Sequence, residues 1–298
     1  MGVRVGVVLL PQVRWAQDKQ RWRQVEEWGF DHAWTYDHLA WRSLADEPWF
    51  ATVPLLAAAA QVTSRIELGT FVASPNFRHP VPFAKDVMGL DDVSEGRFVL
   101  GVGAGGEGFD AAVTGPAPSR GERTRRFEEF VELLDELLTH RATTHAGAHY
   151  EANDARMIPG TLARPRTPFA VAAAGPRAMA VAARLGQGWI TYGPTYATED
   201  EPGAAAQERW WRGLAEQAAA FDEVVAAHRA PGAPPLRRYL SLDGAPLYSL
   251  SDVARACEDL ARAESLGFTD VIVHWPRAEG IYAGDESALE ALATHLST

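Results

Sequence analysis

The chain has almost no sulfur chemistry to offer. Cys257 is the only cysteine in 298 residues, so no intrachain disulfide can form. It sits in Ala254-Arg255-Ala256-Cys257-Glu258-Asp259-Leu260, a helical pattern that reads as a small packed residue rather than a nucleophile. Lysine is nearly missing too: Lys19 and Lys85 are the only two, and arginine supplies the remaining positive charge. With 28 basic against 39 acidic residues the formal net charge is −11. That balance argues against a clustered basic face for nucleic acid and against attraction to anionic membranes. No apolar run approaches the roughly 18 residues of a spanning helix, so no membrane partner is expected. The apolar run Val5–Leu10 stops at Pro11, is short for a signal sequence and lacks a small-residue cleavage site, so the expected location is cytoplasmic.

Several motifs are also missing. There is no GxSxG elbow, no P-loop and no GxGxxG turn in the first strand–helix unit. His145 and His149 flank Ala146-Gly147-Ala148 without further ligands nearby, so no metal site is expected.

What remains is an ordinary globular composition, 47% apolar and 22% charged, in a chain of a length that suits one α/β barrel. Short apolar runs alternate with amphipathic segments from end to end. Candidate strands are Arg4–Leu10, His32–Tyr36, Ile66–Val72, Arg97–Val102, Phe169–Ala173, Trp189–Tyr192, Arg237–Leu242 and Asp270–His274. Candidate helices are Asp18–Trp28, Phe50–Val62, Pro82–Val93, Glu122–Thr139, Pro176–Leu185, Ala204–His228, Ser251–Leu266 and Glu286–Leu296. Gly29, Gly186 and Gly267 stand where helices should stop, and Ser251-Asp252 where one should start. Eight alternating units with no linker predict an α/β fold. It is a single (β/α)8 TIM barrel over residues 1–298, with loop insertions at the C-terminal face. His140–Thr167 is too long for a plain connection and reads as an excursion over one barrel end; Pro194–Gly203 reads as a second lid.

A barrel of this kind carries its site where the strands end. Strand two ends in Tyr36-Asp37-His38, where an acid beside an imidazole can orient a proton donor near neutral pH. Strand three runs into Ala73-Ser74-Pro75-Asn76, a stiff turn whose hydroxyl can meet a cofactor edge or simply close the rim. Strand four ends in Gly101-Val102-Gly103-Ala104-Gly105-Gly106-Glu107-Gly108. Five glycines in eight residues let backbone approach a flat ligand, or make a flexible loop. Glu107 is the only ionisable group there, a proton shuttle or a solvated acid. Strand five ends in Ala174-Gly175-Pro176-Arg177, a helix start that can attract an anion.

Taken in order, these pieces resemble one family, the luciferase-like oxidoreductases that depend on a flavin or on coenzyme F420. The likeness runs from Val5 to about Leu296. It is carried by Glu27-Trp28-Gly29-Phe30-Asp31-His32, Thr35-Tyr36-Asp37-His38-Leu39, Thr63-Ser64-Arg65-Ile66-Glu67-Leu68-Gly69-Thr70 and Arg78-His79-Pro80. It continues through Ser94-Glu95-Gly96-Arg97-Phe98-Val99-Leu100-Gly101, Gly121-Glu122-Arg123, Gly175-Pro176-Arg177 and Gly188-Trp189. The resemblance implies that Asp37 and His38 lie beside the ring, with His38 as the principal catalytic group and Glu107 as its competitor. It implies a non-prolyl cis peptide at Ala73–Ser74 under the ring, Gly103 and Gly105 along the ring or its side chain, and Ala174, Gly175, Pro176 and Arg177 at the cofactor phosphate. Two positions depart from the family pattern: Ala172-Ala173 replace a common Gly-Gly, and Gly106 replaces a common Trp.

The function so implied is hydride transfer between coenzyme F420 and a small organic molecule, in a homodimer packed through the second and third helices, including Val53–Val62. An FMN monooxygenase served by a separate flavin reductase is the alternative, and a non-catalytic flavin-binding protein a third reading. An unrelated barrel lyase would want a Schiff-base lysine, and neither lysine falls at a strand end.

Overall fold

A computed structural model describes residues 2–106, 108–195 and 203–296. Eight parallel strands close into a barrel: β1 (Arg4–Val8), β2 (His32–Thr35), β3 (Glu67–Thr70), β4 (Phe98–Gly103), β7 (Phe169–Ala172), β8 (Gly188–Thr191), β9 (Arg237–Ser241) and β10 (Asp270–His274). Around the barrel the order is β1-β10-β9-β8-β7-β4-β3-β2. The helices are α1 (Trp15–Glu27), α2 (Thr52–Ala60), α3 (Pro80–Val93), the short α4 (Asp110–Val113), α5 (Arg120–Thr139), α6 (Pro176–Leu185), α7 (Ala204–His228), α8 (Val253–Ser265) and α9 (Glu286–Leu296). The eight strands fall where the apolar runs put them, most of them ending one or two residues earlier.

Apolar runs form barrel strands because both faces are covered. Leu68, Leu100, Val171 and Val271 point to the helical shell, while Trp34, Val99, Ala170, Ile190, Tyr239 and Ile272 fill the barrel interior. Large rings inside a narrow barrel need small neighbours. A Cβ on Gly69 would lie 2.2 Å from the Trp34 ring, so only glycine fits there. At the end of the barrel where the strands begin, His32, Arg4, Glu67, Arg237 and Asp270 form a charge network, with His32 Nε2 3.1 Å from Asp270 Oδ1.

Helix ends follow local chemistry. Gly29 and Gly267 take φ of +87° and +81° just past α1 and α8, and the Asp252 carboxylate caps α8 by accepting from Arg255 N–H. Gly186 is different: it ends α6 in extended backbone at φ −76°, and no left-handed turn is needed.

The excursion at His140–Thr167 adds to the insertions that follow the strands. It contains an antiparallel hairpin, β5 (Ala142–Ala146) and β6 (Glu151–Arg156). It leaves α5 at that helix's end and rejoins the barrel at β7, so it belongs to the helix-to-strand side. The Glu129 carboxylate on α5 holds its tip by accepting from the N–H groups of Ala148, His149 and Tyr150. Of the expected lid at Pro194–Gly203, residues 196–202 lie outside the described residues. No helix among the described residues is long and apolar enough to cross a membrane.

One outer carboxylate reports on pH. Burial pushes Asp259 on α8 up to about 6, against the pull of Arg255 and Arg262. A raised carboxyl favours the folded state below its unfolded value and loses that contribution as pH rises through about 6. Asp259→Asn is therefore expected to melt close to wild type at pH 4 and about 2–5 °C higher at pH 7.5, corresponding to about 1–3 kcal/mol. Parallel thermal melts at the two pH values check this; an equal shift at both would refute it.

Candidate active site

Strand alternation decides what faces the barrel mouth. Beyond β2, Tyr36 and His38 point into a cavity of about 620 Å³, while Asp37 between them points away. Hydrogen bonds fix this stretch of backbone: Thr52 Oγ1 donates to the Tyr36 carbonyl at 2.7 Å and Trp49 Nε1 to the His38 carbonyl at 2.8 Å.

His38 has a partner that is not apparent from the sequence. Its Nδ1 lies 2.5 Å from Oδ2 of Asp110, a buried residue that opens α4. The other oxygen of Asp110 accepts from the N–H groups of Leu39 and Ala40 at 2.8 and 3.3 Å. One carboxylate thus orients the imidazole and anchors its loop, leaving Nε2 available toward the cavity.

Asp37 does not line the cavity. Its carboxylate is 2% exposed and takes a two-pronged bond from Arg78, Nε to Oδ2 at 2.7 Å and a terminal nitrogen to Oδ1 at 2.6 Å. Arg78 also lies 3.7 Å from Asp86 and 4.4 Å over the Phe83 ring.

The cis peptide lies elsewhere than expected. Ala73–Ser74 is not cis; Phe71–Val72 is. The reason is that β3 stops at Thr70, two residues before the apolar run does, so the kink follows the strand directly. After it, Ala73 rejoins β4 by donating to the Gly101 carbonyl and accepting from Gly103 N–H, both at 2.8 Å. Val72 and Ser74 line the cavity, and buried Ala73 does not.

Part of the cavity wall is built from small residues. Gly103 ends β4 and Ala104, Gly105 and Gly106 follow it; Ala172 ends β7 and Ala173 and Ala174 follow it. A Cβ on Gly103 would sit 2.9 Å from Val72 Cγ2, and one on Gly105, at φ +76°, 2.6 Å from Asn76 Nδ2. Side chains there would collide with the neighbouring loop, so glycine is what lets the two stretches pack this closely. Asn76 ties the two loops together, donating to the Gly106 carbonyl and accepting from Arg126. Gly175, Pro176 and Arg177 stand outside the cavity lining, and the Arg177 guanidinium is engaged by Glu128 on α5. Glu107 lies outside the described residues.

The cavity holds a second network that sequence reading missed. Tyr36, Tyr282 and Asp243 line the cavity, and buried His274 at the end of β10 joins them. His274 Nε2 is 2.8 Å from the Tyr36 hydroxyl and its Nδ1 is 2.9 Å from Asp243 Oδ2. No group of three or more metal-ligating side chains gathers among the described residues.

Aromatic and small apolar walls with a few converging polar groups are the usual make-up of a cofactor site, and 620 Å³ falls in the usual range. The closed parallel barrel, open at its strand C-termini, defines the class. The model for luciferase-like monooxygenases matches residues 3–234, and the chain belongs to that family. Relatives include the F420-dependent glucose-6-phosphate dehydrogenase of Beutenbergia cavernae, 38% identical over 169 residues, which is 55% of this chain and 49% of that one. The chain thus spans about half the length of these curated dehydrogenases. An uncharacterised protein of Mycobacterium bovis is 31% identical over 253 residues, 84% of this chain and 76% of its own. Among solved structures, an F420-dependent secondary alcohol dehydrogenase superposes with a TM-score of 0.76 at 16% identity, over 99% of this chain and 98% of that one. The monooxygenase RslO1 from Streptomyces bottropensis gives 0.72 at 21%, over 99% and 98%. At such identities these two speak for the fold alone.

Proposed function

We propose that the chain is an oxidoreductase that moves hydride between coenzyme F420 and a small, uncharged organic substrate. The observation that carries this reading is the His38–Asp110 pair in one cavity with the small wall Gly103, Ala104, Gly105 and Gly106. The names of the 36–38% identical relatives support the choice of cofactor.

When bound, the deazaflavin supplies a ring carbon that accepts or gives a hydride. Val72, Gly103, Gly105 and Ala172–Ala174 would hold the ring, on the fit of their shape. His38 would hold or move a proton at Nε2 at the ring edge, with Asp110 fixing its tautomer. N–H groups in the first turn of α6, at Arg177 and Ala178, would take the phosphate, with charge from Arg177 reduced by Glu128. We assign the same family-like homodimer interface to α2 and α3, where Val53, Ala57 and Val62 are half-buried and Val93 is exposed; light scattering in solution tests it.

The substrate differs from what the relatives' name says of them. Tight binding of a phosphate ester draws on charge-assisted bonds, each worth about 1.5–3 kcal/mol. Arg42 is the one Arg or Lys among the described residues lining the cavity, and it is exposed, 5.1 Å over the Trp41 ring. In the sequence, residues 107 and 196–202 include four acids and no Arg or Lys. Glucose 6-phosphate is therefore expected to have a kcat/KM about 10²–10⁴ below that of an uncharged alcohol. A steady-state comparison with F420 checks this, and equal values would refute it.

The test of the cofactor reading is a titration of purified protein with F420, FMN and FAD, followed by absorbance and thermal shift. F420 alone should bind tightly. Tight FMN binding without F420 binding would instead make the chain a flavin monooxygenase dependent on a separate reductase.

A further inference from the structure

Tyr36 stands between two histidines, its ring centroid 5.8 Å from His38 and 5.5 Å from His274. The proposed function uses the first and leaves the second without a role. His274 is 1% exposed and the Asp243 carboxylate wholly buried. Asp243 Oδ2 accepts the His274 backbone N–H at 2.7 Å and faces Nδ1 at 2.9 Å; Oδ1 accepts from Ser249 N–H at 2.9 Å. On the other side of the imidazole, Nε2 meets the Tyr36 hydroxyl at 2.8 Å, and that hydroxyl meets the one on Tyr282 at 3.0 Å. The Tyr282 ring stacks on His274 at 3.9 Å, and Tyr248 donates to the His274 carbonyl.

This chain of groups has a direction. An ionised carboxylate only accepts, so a neutral His274 carries its proton on Nδ1 and is bare at Nε2. Tyr36 must then donate to Nε2. Its oxygen is left to accept, from Tyr282 and from whatever enters the cavity. Burial first, and then Tyr282, Tyr192 and Asp243, push the Tyr36 hydroxyl well above the ordinary range. A phenol held neutral in this way does not serve as a free phenolate. It can take a proton only while handing its own to a partner.

We propose that Tyr36 takes the proton of a substrate hydroxyl as it passes its own to His274, so that the Asp243–His274–Tyr36 relay is the base for oxidation of an alcohol. This rests on the F420 reading for the hydride acceptor. The balance is that of a two-electron oxidation. The substrate O–H bond breaks and its proton goes to Tyr36; the Tyr36 proton goes to His274 Nε2; the C–H pair leaves as hydride to the oxidised deazaflavin; and the C=O bond forms. Tyr36 is the catalytic residue. His274 and Asp243 are positioning residues that act through it, with Asp243 holding the imidazolium that results. The groups facing the imidazole are Asp243, Tyr36, Tyr282 and Tyr248, with Tyr192 and His38 lying beyond Tyr36. None of them is a lysine or arginine, so the imidazolium finds its counter-charge in Asp243.

The experiment has two arms. In the first, oxidised F420 is reduced with 2-propanol, 2-butanol and cyclohexanol, and kcat is followed from pH 5 to 9. Wild-type kcat should rise with pH, as expected of a reaction that needs a general base. Tyr36→Phe and His274→Gln should each lose about 100-fold or more and lose that rise, with F420 affinity within threefold of wild type. Tyr282→Phe should lose less than about tenfold, and His38→Ala should keep the rise. In the second arm, ¹⁵N-histidine NMR of the protein without cofactor or substrate should show His274 protonated at Nδ1 and bare at Nε2. A proton on Nε2, a Tyr36→Phe variant that keeps both the pH rise and more than a tenth of kcat, or F420 binding without oxidation of any of the three alcohols would overturn the relay. Failure to bind F420 would instead sink the cofactor reading, and the NMR arm would then decide the relay alone.

Discussion

His38→Ala is expected to cut turnover about 10²–10⁴-fold with the barrel still folded, the usual worth of a positioned acid–base group. The imidazole is half-buried at the cavity edge, with an edge-on contact to Tyr36, and Asp110 keeps the Leu39 and Ala40 N–H groups, so the loss of stability should stay within about 1–3 kcal/mol. Cofactor affinity should fall only a few-fold, because the wall at Gly103–Gly106 and the alanines after β7 are untouched. Asp110→Asn is expected to lose less, about 10–100-fold. It keeps an oxygen for the Leu39 and Ala40 N–H groups and loses only the charge that orients the ring. Glu107→Gln is the parallel control. If His38→Ala retains near-full turnover while Glu107→Gln loses it, the proton-handling role belongs to Glu107.

The barrel is legible in the sequence for a simple reason: eight buried parallel strands must each be short and apolar, and little else in the chain is. The hairpin is not legible for the converse reason. Ala-Thr-Thr-His-Ala and Glu-Ala-Asn-Asp-Ala-Arg lie on the surface against α5, so neither shows an apolar run. The site divides in the same way. His38, Gly103 and Gly105 announce themselves by residue type at a strand end. Asp110 does not, because it follows a glycine loop with no periodicity and belongs to a helix of only four residues. Asp243 and His274 are separated from Tyr36 by more than two hundred positions, and only barrel closure brings β10 beside β1 and within reach of β2. The signal that could have found them is their place: each sits at or just after the end of a barrel strand.

Much of what carries the family resemblance turns out to be scaffold. Glu26, just ahead of Glu27-Trp28-Gly29, accepts from the N–H groups of Ser64, Arg65 and Ile66, and these bonds outweigh burial to hold its carboxyl down at about 2. Arg97 donates to the carbonyls of Ala60, Thr63 and Ile66. Both tie helices to strands at the end of the barrel away from the cavity. Motifs of this kind identify a barrel and its family well, and say little about the reaction.

Asp37 is where that distinction can be measured. The resemblance puts it beside the ring with His38, whereas strand alternation turns it outward into a buried pair with Arg78. Removing one partner of such a pair strands a charge in a dry site and typically costs about 3–5 kcal/mol. Asp37→Ala leaves Arg78 with Asp86 at 3.7 Å, so its loss should fall at the lower end, near 3 kcal/mol by the same reasoning. Arg78→Ala leaves Asp37 with no cation and should fall at the upper end. With about 2.1 cal/mol/K of unfolding entropy per residue, these losses correspond to melting points roughly 5–8 °C below wild type. Asp37→Asn, which keeps an acceptor for Arg78, should lie between wild type and Asp37→Ala. At 20 °C, where each variant is folded, F420 affinity should stay within about threefold of wild type, since the carboxylate meets Arg78 and not the cavity. The discriminating result is the pairing of the two measurements. A variant that melts like wild type but binds F420 more than a hundredfold more weakly would put the Asp37 carboxylate on the cofactor and remove the structural role assigned to its bond with Arg78.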